Sequence, residues 1–291
     1  MTAQGRPLLY LIAPLLAVGT LFFAPLATML RYSVQPAASA AGGSGGLTLE
    51  HYARFFSDPF YLSSLALTIA TGVLVALVTV VVSYPLAYLF WRSGRHARAW
   101  LMVLLLSPFY VNIVVKVFGW MVLLARFGLV NRALVGLGIL KAPAELLDSY
   151  VGLLIVLIHR CVPFMVLVIA GSMEHIDTTL LESARVCGSG AAGVFRRVIL
   201  PLSIPGVLAG GILAFSLTVA AFVIPLLVGG ATGRRFVSVL MYQSVSVTQN
   251  WNLGAAMGAI LLIASVATIL AASRTLKGSR FGTIISENFG R

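Results

Sequence analysis

Residues 174–203 read EHIDTTLLESARVCGSGAAGVFRRVILPLS, a polar run set between two long apolar stretches. The run is too long for a simple turn and carries helix punctuation of its own. Thr179 followed by Glu182 has capping-box spacing, in which the hydroxyl accepts from the third helical amide and the glutamate returns to the cap amide. A short helix is therefore expected over Leu180 to Cys187. Gly188-Ser189-Gly190 follows, where glycine can take the left-handed conformation that closes a helix. Ser189 is then placed to cap a second helix running toward Arg197, and Pro201 to mark the turn back into the apolar phase. The expected product is two short helices set at an angle.

The flanking stretches decide what that apolar phase is. The 291 residues are 59% hydrophobic and only 10% charged, outside the range of soluble domains. A bilayer-spanning helix needs about 20 apolar residues. Six stretches qualify: Leu8 to Leu30, Leu62 to Phe90, Ala99 to Leu123, Tyr150 to Gly171, Pro205 to Val228 and Leu253 to Ala272. The fold class is therefore all-α, a polytopic membrane protein of about six helices in a single transmembrane domain over residues 1–291. A Gly/Ser/Ala-rich segment, Pro36 to Gly46, and an amphipathic stretch, Leu49 to Phe60, separate the first two spans; Phe127 to Leu147 separates the third and fourth. Leu8 to Leu30 is longer than a signal-peptide core and is preceded by one cation, Arg6, so it is expected to be retained although Ala38-Ser39-Ala40 resembles a cleavage site.

The net charge of +12 does not form a basic face, because the cations are dispersed over short loops. The tight group Arg92, Arg95 and Arg98 places its loop in the cytoplasm by the positive-inside rule, and with it Arg6, Arg185, Arg196, Arg197 and the terminal group Arg274, Lys277, Arg280 and Arg291. Both termini are then cytoplasmic, and Arg31, Arg54, Arg126, Arg132, Lys141, Arg234 and Arg235 lie outside. Cys161 and Cys187 offer no disulfide framework and are expected to be free thiols.

Lys116, His159 and Arg160 fall inside spans, where a charge costs on the order of 3 kcal/mol on insertion scales. Such groups face a cavity or a partner. One reading makes Lys116, Trp120, His159, Arg160 and Pro163 a translocation path; the other has Arg160 bracing carbonyls freed by Pro163, or contacting a second subunit. His159 has no second ligand at metal spacing, so no metal is expected. The spans hold cations and no clear buried carboxylate, which disfavours a polycationic solute and favours an anionic or zwitterionic one.

The spacing of Glu182-Ser183-Ala184, Gly188, Val198, Leu200 and Pro201 resembles the EAA loop of permease subunits of binding-protein-dependent ABC importers, with Ser183 and Val198 as conservative departures. The resemblance implies a MetI-like permease fold in a bacterial inner membrane. It also implies that Glu182, Ser183, Ala184, Arg185, Gly188, Arg196, Arg197, Leu200 and Pro201 form a coupling element that docks on an ATPase. Implied partners are two ATPase subunits, a second and related permease, and an external solute-binding protein. Residues 116–124 with Gly128-Leu129-Val130-Asn131, Pro163 to Leu167, Pro201 to Gly210 and Pro225 to Gly230 are similar to the branch associated with spermidine and putrescine uptake. That branch implies a polyamine or a related small organic solute, amino-acid-like or a phosphonate.

Rival classes lack support of this kind. An intramembrane enzyme would need a nucleophile with its base, a carboxylate pair or a metal set, and none is present in the sequence. A channel or secondary transporter for a small anion would share the composition but has no use for the glycine-hinged loop. No phosphate-cradling Gly-x-x-x-x-Gly-Lys-Ser/Thr segment occurs, so the chain binds no cofactor of its own, and ATP and magnesium belong to a separate polypeptide.

Overall fold

The computed structural model describes residues 6–36 and 46–277, and within them the chain is helical without strands. The elements are α1 (Arg6–Ser33), α2 (Glu50–Ser57), α3 (Pro59–Arg92), α4 (Arg95–Tyr110), α5 (Ile113–Leu124), α6 (Leu129–Gly136) and α7 (Tyr150–Glu174). Then come α8 (Thr178–Val186), α9 (Ala191–Val194), a π turn (Phe195–Ile199), α10 (Leu200–Val219), α11 (Val223–Val228), α12 (Gly230–Arg234), α13 (Val237–Ser246) and α14 (Trp251–Lys277). Among the described residues six segments have the length and hydropathy to cross a bilayer: Leu16–Ser33, Pro59–Arg92, Ile113–Gly136, Tyr150–Glu174, Ala191–Val219 and Trp251–Arg274. Most of the Pro36 to Gly46 segment, together with Arg280 and Arg291, lies outside the described residues.

Two of the expected spans are interrupted. Ala99 to Leu123 breaks at Val111-Asn112, because the Asn112 side chain accepts from the Val114 amide at 2.8 Å and starts a new helix. Pro205 to Val228 breaks after Val219. Pro225 cannot donate to the Ala221 carbonyl, as a helical residue there would. The Ser238 hydroxyl donates to that carbonyl instead, at 2.7 Å.

The described residues form two compact units, one of 6–36 and 46–63 with 240–263 and one of 64–239 with 264–277. In the first, the amphipathic stretch forms α2, which buries His51 and Phe55 and stacks Phe55 on Tyr61 with ring centroids 5.4 Å apart. The Gln35 carbonyl accepts from Asn252 at 2.8 Å and pairs with the His51 ring at 3.0 Å, while Ser33 and Tyr52 share a hydroxyl hydrogen bond of 2.8 Å.

The second unit holds a continuous apolar core built on α7, with Leu153, Leu157, Met165, Val166, Ile169 and Met173 fully buried. Helix α10 lies against α7 through Gly206 and Gly210, one turn apart. A Cβ at Gly206 would collide with the Ser172 hydroxyl, and one at Gly210 with the Met165 sulfur. Membrane helices gain little from hydrophobic burial against lipid, so close approach at small residues supplies van der Waals contact instead. Helix α3 contributes hydroxyls at the same interfaces: Tyr84 bonds Ser203 at 2.8 Å, Thr71 bonds Tyr150 at 2.9 Å, and Thr68 accepts the Val237 amide that opens α13 at 3.1 Å.

Between α5 and α7, the buried Asn131 side chain ties two loops together, donating to the Ala125 and Ala144 carbonyls at 3.1 and 2.9 Å and accepting from the Ala144 amide at 2.9 Å. Replacing it by alanine leaves the Ala144 amide without this acceptor and takes one donor from each carbonyl, although Ala125 and Ala144 still accept from the Gly128 and Leu146 amides, so the loss is about 1 kcal/mol or more. Asn131→Ala should therefore lower the apparent melting temperature of the purified protein. Gly210→Leu overpacks the α7–α10 seam, at about 1–3 kcal/mol, and should cut the yield of folded protein in detergent far more than Gly211→Leu, where a Cβ meets nothing within 4 Å.

Candidate functional site

Two regions of the second unit carry the residues singled out in the sequence. The first is a cavity of about 210 Å³ lined by α4, α5, α7, α10 and α11. Lys116, Trp120, His159, Arg160 and Pro163 all line it, so the five residues of the expected path come together in one place. Arg160 lies ten residues into α7, roughly 15 Å along the helix axis.

Both helix breaks described above open onto this cavity, and each exposes a carbonyl that a continuous helix would have paired. Helix α4 ends at Tyr110, and the Lys116 ammonium donates to the Pro108 carbonyl at 2.8 Å. At the end of α10, the Ala220 and Ala221 amides turn to Ser216 and Thr218. The Leu217 carbonyl receives the Arg160 guanidinium instead, at 3.1 Å. The cations also sit at the negative ends of the two helix dipoles, where positive charge is favoured. Arg160 thus braces the fold as one reading expected, but on a carbonyl of α10 rather than one freed by Pro163.

Aromatic rings complete the wall. Trp120 meets the His159 ring edge-on at 5.0 Å, and Phe109 meets Phe164 at 4.5 Å. None of the acidic residues Glu50, Asp58, Glu145, Asp148, Glu174, Asp177 and Glu182 lines the cavity. A third cation placed about 5 Å from either fixed one would meet repulsion on the order of 3 kcal/mol at an effective dielectric of 20.

The second region is the loop that follows α7. Helix α8 begins earlier than the capping-box reading gives, because Asp177 is the cap: its carboxylate accepts from the Thr179 amide at 2.9 Å, leaving Thr179 inside the first turn. That backbone hydrogen bond holds the Asp177 carboxyl below the usual carboxylate range. The cap is therefore complete above the ordinary carboxylate pKa and is lost only as pH falls through the depressed value.

The other end of α8 follows the sequence closely. Gly188 has φ +81°, the Gly188 amide donates to Arg185 at 2.9 Å and the Ser189 amide to Ala184 at 3.0 Å, the two bonds of a Schellman cap. The Ser189 amide belongs to this cap, and Gly190 rather than Ser189 precedes α9, with no side-chain cap bond. Nor does the chain turn at Pro201: α9, the π turn and α10 run on as one helical segment over 191–219. The π turn, closed by the Leu200 amide on the Phe195 carbonyl, widens the helix where Pro201 can neither donate nor approach the Arg197 carbonyl closely.

Glu182, Ser183, Arg185, Gly188, Arg196, Arg197 and Leu200 are exposed, whereas Ala184 and Pro201 are half-buried. Val186 is 88% exposed, leaving an apolar side chain of α8 without cover. Phe195 anchors the segment, edge-on to Tyr84 and Tyr88 at 5.7 Å each. Arg98, over the Phe90 ring, forms an ion pair with Glu174, which brings the Arg92 to Arg98 loop and the end of α7 to the same side of the unit. Sequence reasoning did not find Leu217, Pro108 or Asn131, because nothing in a sequence marks which carbonyl a cation or an amide will reach.

Residues 80–280 match the family described as binding-protein-dependent transport system inner membrane component. The spermidine/putrescine transport system permease protein PotB of Escherichia coli K12 is 31% identical over 216 residues, covering 74% of this chain and 78% of that one. A putative 2-aminoethylphosphonate transport system permease protein of Salmonella paratyphi A is 26% identical over 286 residues, covering 93% of each. In fold, the chain is similar to one in the crystal structure of a bacterial alginate ABC transporter in complex with its pentasaccharide-bound periplasmic protein. The TM-score is 0.74 at 17% identity, covering 93% of this chain.

Removing the guanidinium leaves the half-buried Leu217 carbonyl without this partner, at about 1 kcal/mol or more. Arg160→Met should therefore lower the thermal midpoint of the purified protein by several degrees, whereas Arg160→Lys, which keeps a donor and the charge, should recover most of the loss.

Proposed function

The chain belongs to the family of binding-protein-dependent transport system inner membrane components, and from that premise we propose that it forms half of the solute pathway of an ATP-driven importer and couples to a separate ATPase through residues 178–201. It is a multi-pass inner-membrane permease and not an enzyme. The observation that carries the coupling proposal is α8: an exposed helix, capped at both ends and closed by Gly188, followed by a helical segment that runs without a break to the wall of the cavity.

In this reading Val186 and the exposed face around Glu182, Ser183 and Arg185 seat in a groove of the ATPase, and half-buried Ala184 keeps α8 close to its own core. Arg196 and Arg197 pair with acidic groups of the partner or with lipid phosphates. ATP and magnesium are bound by two ATPase subunits. A second, related permease supplies the other half of the pathway, and an external binding protein delivers the solute. The Arg92 to Arg98 loop, α8 and both termini face the cytoplasm. The solute is a polyamine or a related small organic molecule, amino-acid-like or a phosphonate, as the named relatives support.

Gly188→Asp places a side chain at φ +81°, where L-residues are disfavoured by roughly 1–2 kcal/mol, and adds an anion to the docking face. The variant should insert and accumulate normally, yet support less than about a tenth of wild-type uptake in proteoliposomes holding the complete transporter, an arrest like that expected of a lost protein contact. Uptake by the wild type should require ATP and the ATPase subunit. Wild-type rates from the Gly188→Asp variant would remove the coupling assignment.

A further inference from the structure

We propose that the cavity between α5, α7 and α10 is an oxyanion site: it takes the carboxylate or phosphonate head of a small solute, held by Lys116 and Arg160, and it excludes polyamines. The inference rests on the importer reading and narrows it to a substrate class.

The geometry points this way through four features. Lys116 and Arg160 reach one cavity from different helices, and the acceptor each uses is a neutral carbonyl, Pro108 or Leu217, not a carboxylate. A carbonyl at a helix end steadies a cation without cancelling its charge. An ammonium has three donors and a guanidinium five, so one bond apiece leaves donors for an anion. Among the described residues no acidic side chain lines the cavity to receive an ammonium group of a solute.

Size and wall chemistry agree. A volume of about 210 Å³ suits a molecule of amino-acid dimensions. The rings of Trp120, Phe109 and Phe164 give an apolar and π-rich flank for a short methylene chain, and an aromatic face can accept one terminal ammonium. A small zwitterion, with an oxyanion at one end and an amine at the other, satisfies both the cations and the rings. A polyamine brings several charges of the wrong sign and has no oxyanion to offset them.

The bonds to Pro108 and Leu217 also fix where the charges stand. Neither cation has to be recruited from solvent when a solute arrives, so the site is organised in advance. The two helix breaks therefore serve recognition as well as the path of the chain.

The test is equilibrium binding to the complete transporter in nanodiscs, without the external binding protein, so that the permease is read alone. Three probes are used: 2-aminoethylphosphonate, its carboxylate counterpart β-alanine, and spermidine. One or both of the oxyanion probes should bind saturably, and the stronger of the two identifies the head group. Spermidine in excess should not displace it.

Lys116→Gln and Arg160→Gln remove the charge and keep an uncharged hydrogen-bond donor in the cavity wall. Each should weaken oxyanion binding about ten-fold, as expected for loss of a charge-assisted hydrogen bond, with Lys116→Arg and Arg160→Lys restoring much of it. A thermal midpoint within a few degrees of wild type separates lost recognition from lost fold. Failure of both oxyanion probes to bind, displacement by spermidine, or unchanged affinity in well-folded glutamine variants overturns the proposal. The importer reading fails separately, if the same nanodisc complex shows no ATPase activity stimulated by the solute-loaded binding protein.

Discussion

In hydrocarbon there is no water to pair with a backbone carbonyl, and each one left unpaired costs several kcal/mol. This chain interrupts its apolar helices at Val111-Asn112 and after Val219, so it must answer that cost at both breaks. Asn112 pairs the Val114 amide at the start of the new helix, and Ser238, 17 residues along the chain, donates to the Ala221 carbonyl. The remainder falls to Lys116 and Arg160, which a sequence-based hydropathy scale would treat only as penalties. A charge that is expensive in lipid becomes inexpensive at the end of a helix, because the carbonyl and the dipole act on it together.

The same bonds define the site. Were the helices continuous, the two cations would have no acceptors here, and the space between α5, α7 and α10 would have no reason to contain them. Breaks, cations and aromatic wall are consequences of one another. The loop region obeys a different rule: its helix ends are closed by Asp177 and Gly188, and exposed side chains such as Val186 stay uncovered within this chain.

Much of this was legible in the sequence where the signal is local. The six apolar stretches, the left-handed glycine at 188 and the grouping of Lys116, Trp120, His159, Arg160 and Pro163 each follow from composition, spacing or the cost of a buried charge. The misreadings share a cause. Thr179 and Asp177 are both good caps two residues apart, and only the fold shows which hydroxyl or carboxylate reaches an amide. Ser189 offers a side-chain cap, but α9 begins one residue later, after Gly190. Pro201 signals a stop by local rules, yet a widened turn absorbs it. Residues 99–123 and 205–228 are apolar enough on average that hydropathy joins what Asn112 and Pro225 separate. The Gly206–Gly210 seam and the Asn131 bridge depend on what lies opposite, which one-dimensional patterns do not encode.

The π turn at Phe195–Ile199 carries a geometric consequence. Such a turn holds one residue more than an α-helix would, and each residue advances a helix by about 100°. Everything after it is therefore rotated by roughly that angle relative to α9. The rotation sets the azimuth at which Gly206 and Gly210 meet α7 while Val194 and Phe195 stay turned toward α3. The insertion works as a phase shifter between two bearings on a single shaft: it lets one end of the rod face the aromatic cluster of Tyr84, Tyr88 and Phe195 and the other mesh with its neighbour, without a flexible coupling between them.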